Sequence, residues 1–142
     1  MNNIKKWHEH FNNPSKESLS ALLAEDCCFY SPVVFTPQKG KAITMQYLLA
    51  AGTSLGDSKN KPKSESKFRY TREIVDGDNA MLEFETEIDG KYVNGIDIIH
   101  FNEEGLIDEL KVMIRPLQAV NAVWESMGAT LQANSEKAAN ES

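Results

Sequence analysis

Thiols are scarce in this chain: its two cysteines, Cys27 and Cys28, are adjacent. Neighbouring cysteines close a bridge only through a strained peptide, so no structural disulfide is expected. Two thiols without a Cys-x-x-Cys pair are also too few for a zinc site. Both read as reduced packing residues, which points to a cytoplasmic setting. Long apolar runs are missing too. Nothing approaches the roughly 20 residues needed to span a bilayer. The opening segment Met1-Asn2-Asn3-Ile4-Lys5-Lys6-Trp7-His8 has no apolar stretch of the kind a secretory leader needs. Positive charge is in the minority, with 15 Lys and Arg against 21 Asp and Glu, for a net charge of −6. Non-specific nucleic-acid binding needs a basic surface that releases phosphate counterions, so it is not expected. A Gly-rich phosphate loop, Gly-x-Ser-x-Gly, His-Glu-x-x-His and the kinase signatures are all absent from the sequence. Most common hydrolase and transferase mechanisms go with them, and no cofactor is implied. There is no internal repeat and no low-complexity tract.

The composition that remains is that of an ordinary globular protein. Of 142 residues, 41% are hydrophobic and 25% charged, enough for one core without covalent staples. A single domain is expected over 1–133, with a polar tail over 134–142. Ile4, Trp7 and Phe11 fall on one face of a short helix. Asn12-Asn13-Pro14-Ser15 breaks it, and Ser15 can cap a second helix whose apolar face is Leu19, Leu22 and Leu23. Glu25-Asp26 is expected to close that helix. A short strand is expected over 27–35, interrupted at Pro32. A third helix follows over 40–51, with Ile43, Tyr47, Leu48 and Ala51 on one side. Residues 52–66 read as a mobile loop.

From Lys67 the apolar period changes to two. Phe68, Tyr70 and Ile74 are expected on one face of a strand, and Leu82, Phe84, Thr86 and Ile88 alternate with Glu83, Glu85 and Glu87 in the next. Asp89-Gly90 signals a hairpin. The strand over 92–101 is apolar on both faces and should be central. Asn102-Glu103-Glu104-Gly105 turns into a last strand with Leu110, Val112 and Ile114 inward. Pro116 can open a final helix with a stripe of Leu117, Val120, Trp124, Met127 and Leu131. The order is helices, antiparallel meander, closing helix: an α+β pattern. A curved antiparallel sheet with helices on its concave side makes a cone, and its apolar interior is where a small ligand would sit.

Asp97 is the sharpest chemical feature, lying mid-strand in Gly95-Ile96-Asp97-Ile98-Ile99-His100-Phe101. Strand parity puts it on the face of Ile99 and Phe101. A carboxyl among aliphatic groups loses solvation, so its pKa should rise, and it can act as a neutral donor or a general acid or base. The plainer alternative is a buried Asp satisfied by the backbone or a tyrosine. His100 takes the opposite face and looks outward. His8 and His10 are two apart on a helix, a poor metal pair with no third ligand at recognisable spacing. Trp7 and Trp124 read as core residues, with Trp7 also a possible N–H donor in a cavity. Tyr30, Tyr47, Tyr70 and Tyr92 are scattered. Lys59, Lys61, Lys63, Lys67, Arg69 and Arg72 either attract an anionic substrate or pair across strands with Glu83, Glu85 and Glu87.

Two stretches carry more than local structure. One is Leu22-Leu23-Ala24-Glu25-Asp26-Cys27-Cys28-Phe29-Tyr30-Ser31-Pro32, followed by Pro37, Gly40 and a helix. The other is Ile96-Asp97 followed by Phe101-Asn102-Glu103-Glu104-Gly105-Leu106-Ile107. Together they resemble the nuclear transport factor 2-like superfamily, in particular its ketosteroid isomerase and polyketide-cyclase (SnoaL-like) branches. The resemblance spans about Trp7 to Arg115. It implies a cystatin-like roll, a homodimer, and a cavity for a small apolar ligand. In ketosteroid isomerase a protonated Asp beside a tyrosine forms the oxyanion hole, and a second Asp is the base. The resemblance puts Asp97 at the oxyanion Asp, Trp7 at the tyrosine and Ser31 at the base. A serine hydroxyl takes no carbon-bound proton without a partner. The last strand offers Leu110, Val112 and Ile114 where related epoxide hydrolases and cyclases use acids.

Three readings follow. One is a small enzyme of the isomerase or cyclase class acting on an apolar carbonyl compound through Asp97, with Trp7 and Ser31 as weaker candidates. Another is a non-catalytic binding module whose pocket is lined by Phe11, Phe84, Ile99, Phe101, Leu110 and Val112. The last is a dimeric interaction domain that uses the outer sheet face around Ile96, Ile98 and His100.

Overall fold

The computed structural model describes residues 3–55 and 68–126. Helices α1 (Asn3–Asn12) and α2 (Lys16–Leu22) lead into β1 (Leu23–Tyr30) and β2 (Gln38–Lys39). Helix α3 (Lys41–Leu55) follows, then β3 (Arg69–Asp76), β4 (Asn79–Ile88), β5 (Lys91–Phe101) and β6 (Ile107–Arg115). Residues 117–126 form a last helix, α4. The six strands make one curved sheet in the order β2-β1-β6-β5-β4-β3. The meander from β3 to β6 is antiparallel, as its turn residues predict. β1, however, joins β6 in parallel, so the sheet is mixed rather than wholly antiparallel.

Local chemistry explains most boundaries. Ser15 caps α2, its Oγ accepting from the Ser18 N–H at 3.0 Å while the Ser18 hydroxyl accepts from Ser15 N–H at 3.2 Å. The helix does not continue to Glu25-Asp26. The chain enters β1 at Leu23, and the acidic pair occupies a register shift between Leu23↔Ile107 and Cys28↔Glu109, where both side chains reach solvent. Asp89 (φ 50°) and Gly90 (φ 77°) both take positive φ, the requirement of a tight two-residue hairpin. Both cysteines are free.

The inner face of the sheet carries the core. Ile4 and Trp7 of α1, and Leu19 and Leu22 of α2, pack with Phe29, Leu82, Ile99, Phe101 and Leu110. A second group joins Phe84, Ile88 and Val93 to Ala119, Ala122 and Val123 of α4. The stripe expected on α4 is therefore not the buried one: Leu117 is 74% and Trp124 54% exposed. The sheet beneath α4 is already filled by Phe84 and Val93, and small residues bring the helix close. Met127 and Leu131 lie outside the described residues.

Three further expectations need amendment. Residues 52–55 continue α3 rather than opening a loop, and 56–67, with Lys59, Lys61, Lys63 and Lys67, lie outside the described residues, as does the tail over 134–142. Arg69 and Arg72 pair with Glu85 (3.1 Å) and Glu83 (3.5 Å) on the solvent face of the meander. Ile74 does not share a face with Phe68 and Tyr70. β3 slips one residue against β4 between Tyr70↔Phe84 and Arg72↔Glu83, so Thr71 is extra. Glu73 then stands opposite inward Leu82, and Ile74 opposite outward Met81, with Ile74 54% exposed.

Gly95 is the point of closest approach. A Cβ there would meet Phe84 Cζ at 2.4 Å and the Met113 carbonyl oxygen at 2.9 Å. Gly95→Ala should lower stability by about 1–3 kcal/mol through overpacking, and Gly95→Val should lower it further. Urea unfolding of the variants against the parent measures both.

Candidate active site

Asp97 sits in the middle of β5, in register with Leu82 on β4 and Val112 on β6. It faces the core and is only 9% exposed. The Tyr70 hydroxyl, from β3 two strands away, donates to Asp97 Oδ2 at 3.0 Å. Trp7 Nε1–H, from α1 above the sheet, donates to the Tyr70 oxygen at 3.1 Å. An indole N–H only donates, so Tyr70 must accept from Trp7, and its own proton is directed to Asp97. Three elements thus converge on one carboxyl by a single chain of hydrogen bonds.

Burial raises the Asp97 pKa from 3.8 to about 7, against the opposing effect of the Tyr70 hydrogen bond. Burial and then the adjoining Asp97 push the Tyr70 hydroxyl far above its ordinary value, so it stays protonated. Below about pH 7, Asp97 is predominantly a carboxylic acid with one oxygen held by Tyr70. Among the described residues, no side chain is seen hydrogen-bonded to the other oxygen, Oδ1.

The surround is aromatic. Phe11 lies 4.8 Å from Phe68 and 5.3 Å from Tyr70 between ring centroids, and Phe68 stacks on Phe84 at 5.0 Å. Phe84 in turn lies over the bare backbone of Gly95. The His8 ring stands edge-on to Tyr70 at 5.8 Å, and its Nε2 hydrogen-bonds Glu73 Oε1.

The expected wall residues divide in two. Phe84, Ile99, Phe101 and Leu110 are 0–3% exposed and form the packed bed beneath the site. Phe11 and Val112 are half-buried. Tyr47, Tyr70 and Val112 touch both core groups, marking the seam between them beside Asp97.

Ser31 is engaged elsewhere: its Oγ accepts from the Val33 N–H at 3.2 Å, in a turn just after β1. His100 faces outward, as parity predicts, and pairs through Nδ1 with Asp108 Oδ1 at 2.6 Å, which raises its pKa. His10 binds the Ser18 hydroxyl and is lowered by burial. Among the described residues, Tyr70 is the one side chain seen hydrogen-bonded to Asp97. Among the same residues, no cluster of three His, Cys, Asp or Glu could hold a metal ion, and no helix is long and apolar enough to cross a membrane.

Sequence reasoning missed Tyr70 and Glu73. Tyr70 becomes visible only once the bulge at Thr71 is added to the registers of the two turns, giving Tyr70↔Phe84↔Gly95 and setting it diagonally across β4 from Asp97. The extra residue Thr71 hid Glu73 by reversing the parity of β3.

This helix-covered curved sheet is a cystatin-like fold, and it recurs among solved structures that include a steroid delta-isomerase, nuclear transport factor 2-like proteins and an epoxide hydrolase/cyclase-like enzyme. A steroid delta-isomerase from Pseudomonas aeruginosa superposes with a TM-score of 0.81 at 28% identity, over 93% of this chain and 90% of that one. An uncharacterised protein with a cystatin-like fold from Silicibacter pomeroyi also gives 0.81 and 28%, over 94% of this chain and 88% of that one. An epoxide hydrolase/cyclase-like enzyme with a role in pyran-ring formation in the polyether salinomycin shares the fold alone, at 0.59 and 17% identity over 80% and 90% of the two chains. No family model matches the sequence, and no curated protein matches it significantly.

The raised Asp97 pKa fixes a sign for stability. Between about pH 4 and 7 the folded state keeps a proton that the unfolded chain has released, so this group's contribution falls by roughly 1.4 kcal/mol per pH unit. It levels off above pH 7. Asp97→Asn removes the loss while keeping an acceptor for Tyr70. The variant should gain on the parent as pH rises, by about 3–4 kcal/mol at pH 8. Urea unfolding of both proteins from pH 4 to 8 checks this.

Proposed function

We propose that the chain binds a small apolar carbonyl compound at the seam beside Asp97, and that neutral Asp97 donates a hydrogen bond to its oxygen, in the manner of an isomerase or cyclase. The observation that carries this reading is the Trp7–Tyr70–Asp97 chain: it leaves the acid's other oxygen, Oδ1, with no side-chain partner seen among the described residues, so its O–H can donate inside an aromatic surround. Such a donor stabilises negative charge developing on a carbonyl oxygen, and losing one of this kind costs about 10²–10³ in rate. Trp7 acts through Tyr70 rather than on the ligand. Phe11, Phe68 and Val112 offer apolar contact, while Phe84, Ile99, Phe101 and Leu110 hold the floor rigid. The likeness to the Pseudomonas steroid delta-isomerase supports a planar, apolar substrate class.

A second reading, a binding module without catalysis, is favoured by Ser31: at the family's base position its hydroxyl serves a turn. We also propose a cytoplasmic homodimer built on the outer sheet face. The register aligns Ile74, Met81 and Ile98 in one apolar row, with Ile96 beside Met113 in the next.

2-Naphthol, a planar fluorescent phenol that mimics an enol, is the binding probe. Its affinity should change as pH passes through about 7, where Asp97 turns from a donor to the naphthol oxygen into an acceptor of the naphthol O–H. Asp97→Asn should abolish that dependence. Asp97→Leu should weaken binding at pH 6 about tenfold or more; equal affinity of parent and Asp97→Leu would overturn the assignment. Separately, Met81→Glu should convert a dimer into a monomer in light scattering, and an unchanged mass would refute the outer-face interface.

A further inference from the structure

One face of α1 presents Ile4, Trp7, His8 and Phe11 toward the sheet at helical spacing, with Ile4 and Trp7 buried and His8 and Phe11 half-buried. His8 therefore shares a face with the indole that anchors the Asp97 chain. Under His8, β3 does something that packing alone does not favour. The extra residue Thr71 turns a carboxylate, Glu73, to the inner side and leaves an isoleucine, Ile74, 54% exposed. Bulges of this kind re-aim side chains and concentrate beside active sites. The Glu73 carboxylate, 42% exposed at the rim, is taken up by His8 Nε2, and the imidazole stands edge-on to Tyr70 at 5.8 Å. Tyr70 then touches Asp97. An imidazole held by a carboxylate and a buried acid thus both contact one tyrosine, the first through its ring and the second through its hydroxyl.

We infer that His8, oriented by Glu73, is the base that moves a carbon-bound proton of the compound whose oxygen Asp97 receives. The inference rests on the reading of Asp97 given above. With Nε2–H donating to Glu73, the lone pair of neutral His8 is on Nδ1, and among the described residues none is seen hydrogen-bonded to that atom. Nδ1 takes the proton from the carbon next to the carbonyl. The C–H electron pair becomes the enol double bond, and the carbonyl oxygen gains the Asp97 proton. Return of the proton from His8 to carbon, and of the enol proton to Asp97, completes an isomerisation or exchange with no net redox change. The base enters from the β3 edge of the site, across the sheet from Ser31. Glu73 is a positioning residue.

The test is hydrogen–deuterium exchange at the carbon next to the carbonyl of 2-tetralone in D2O, followed by NMR, with 2-naphthol affinity measured on the same samples. His8→Ala should slow exchange by about 10²–10⁴-fold with naphthol affinity unchanged, and added imidazole should restore part of the rate. Glu73→Gln should lower kcat with little change in KM, and Glu73→Asp should recover part of it. Naphthol binding that depends on Asp97, together with exchange no faster than in buffer or unaltered in His8→Ala, overturns the His8 assignment and leaves the Asp97 reading standing. Loss of both naphthol binding and exchange in the parent protein overturns the two together.

Discussion

A carboxyl group buried in the middle of a central strand sets the terms for everything around it. Left alone among Leu82, Val112 and Ile99, it would carry the cost of an unpaired polar group. The fold answers with a hydroxyl from β3, and answers the hydroxyl in turn with an indole from α1. Each donor fixes the direction of the next, because Trp7 cannot accept and Asp97 must be given a partner. The chain of contacts ties the N-terminal helix, an edge-side strand and the sheet centre to one point. The same burial moves the acid's titration up to about pH 7. Stability and chemistry therefore draw on one physical fact, a carboxyl removed from water.

Much of the architecture was legible because period and punctuation agree. The alternation of Leu82, Phe84, Thr86 and Ile88 with three glutamates allows one orientation of β4, and Asp89-Gly90 fixes where it turns. Asp97 could be placed on the inner face from parity alone. What escaped were the places where the count of residues breaks step. Thr71 reverses β3, and Glu25-Asp26 bulges out of β1 rather than ending a helix. A one-residue slip leaves no compositional trace, yet it exchanges the two faces of a strand. On α4, side-chain size misled: Leu117 and Trp124 face outward, while Ala119, Ala122 and Val123 make the packed contact.

The candidate site was half legible for the same reason. Asp97 and Trp7 announce themselves by chemistry in an unlikely setting, and the structure links them, but only through Tyr70. That residue sits 27 positions before Asp97, and nothing local marks it. Its role exists only once β4 is threaded between β3 and β5 in register. The resemblance to isomerases pointed to Asp97 for the acid and to Ser31 for the base; the first lies buried on the inner face, and the second has its hydroxyl in a turn.

The parallel seam between β1 and β6 has a temporal consequence. Leu23 finds its partner in Ile107, so the first strand waits while nearly all the later strands are synthesised. Until β6 arrives, α1 and α2 have no complete surface to cover, and Trp7 has no finished network to join. Long-range closure of this type is slow compared with hairpin formation. The meander can assemble as the ribosome delivers it, whereas the roof over the acid finds its full surface only after β6 is in place.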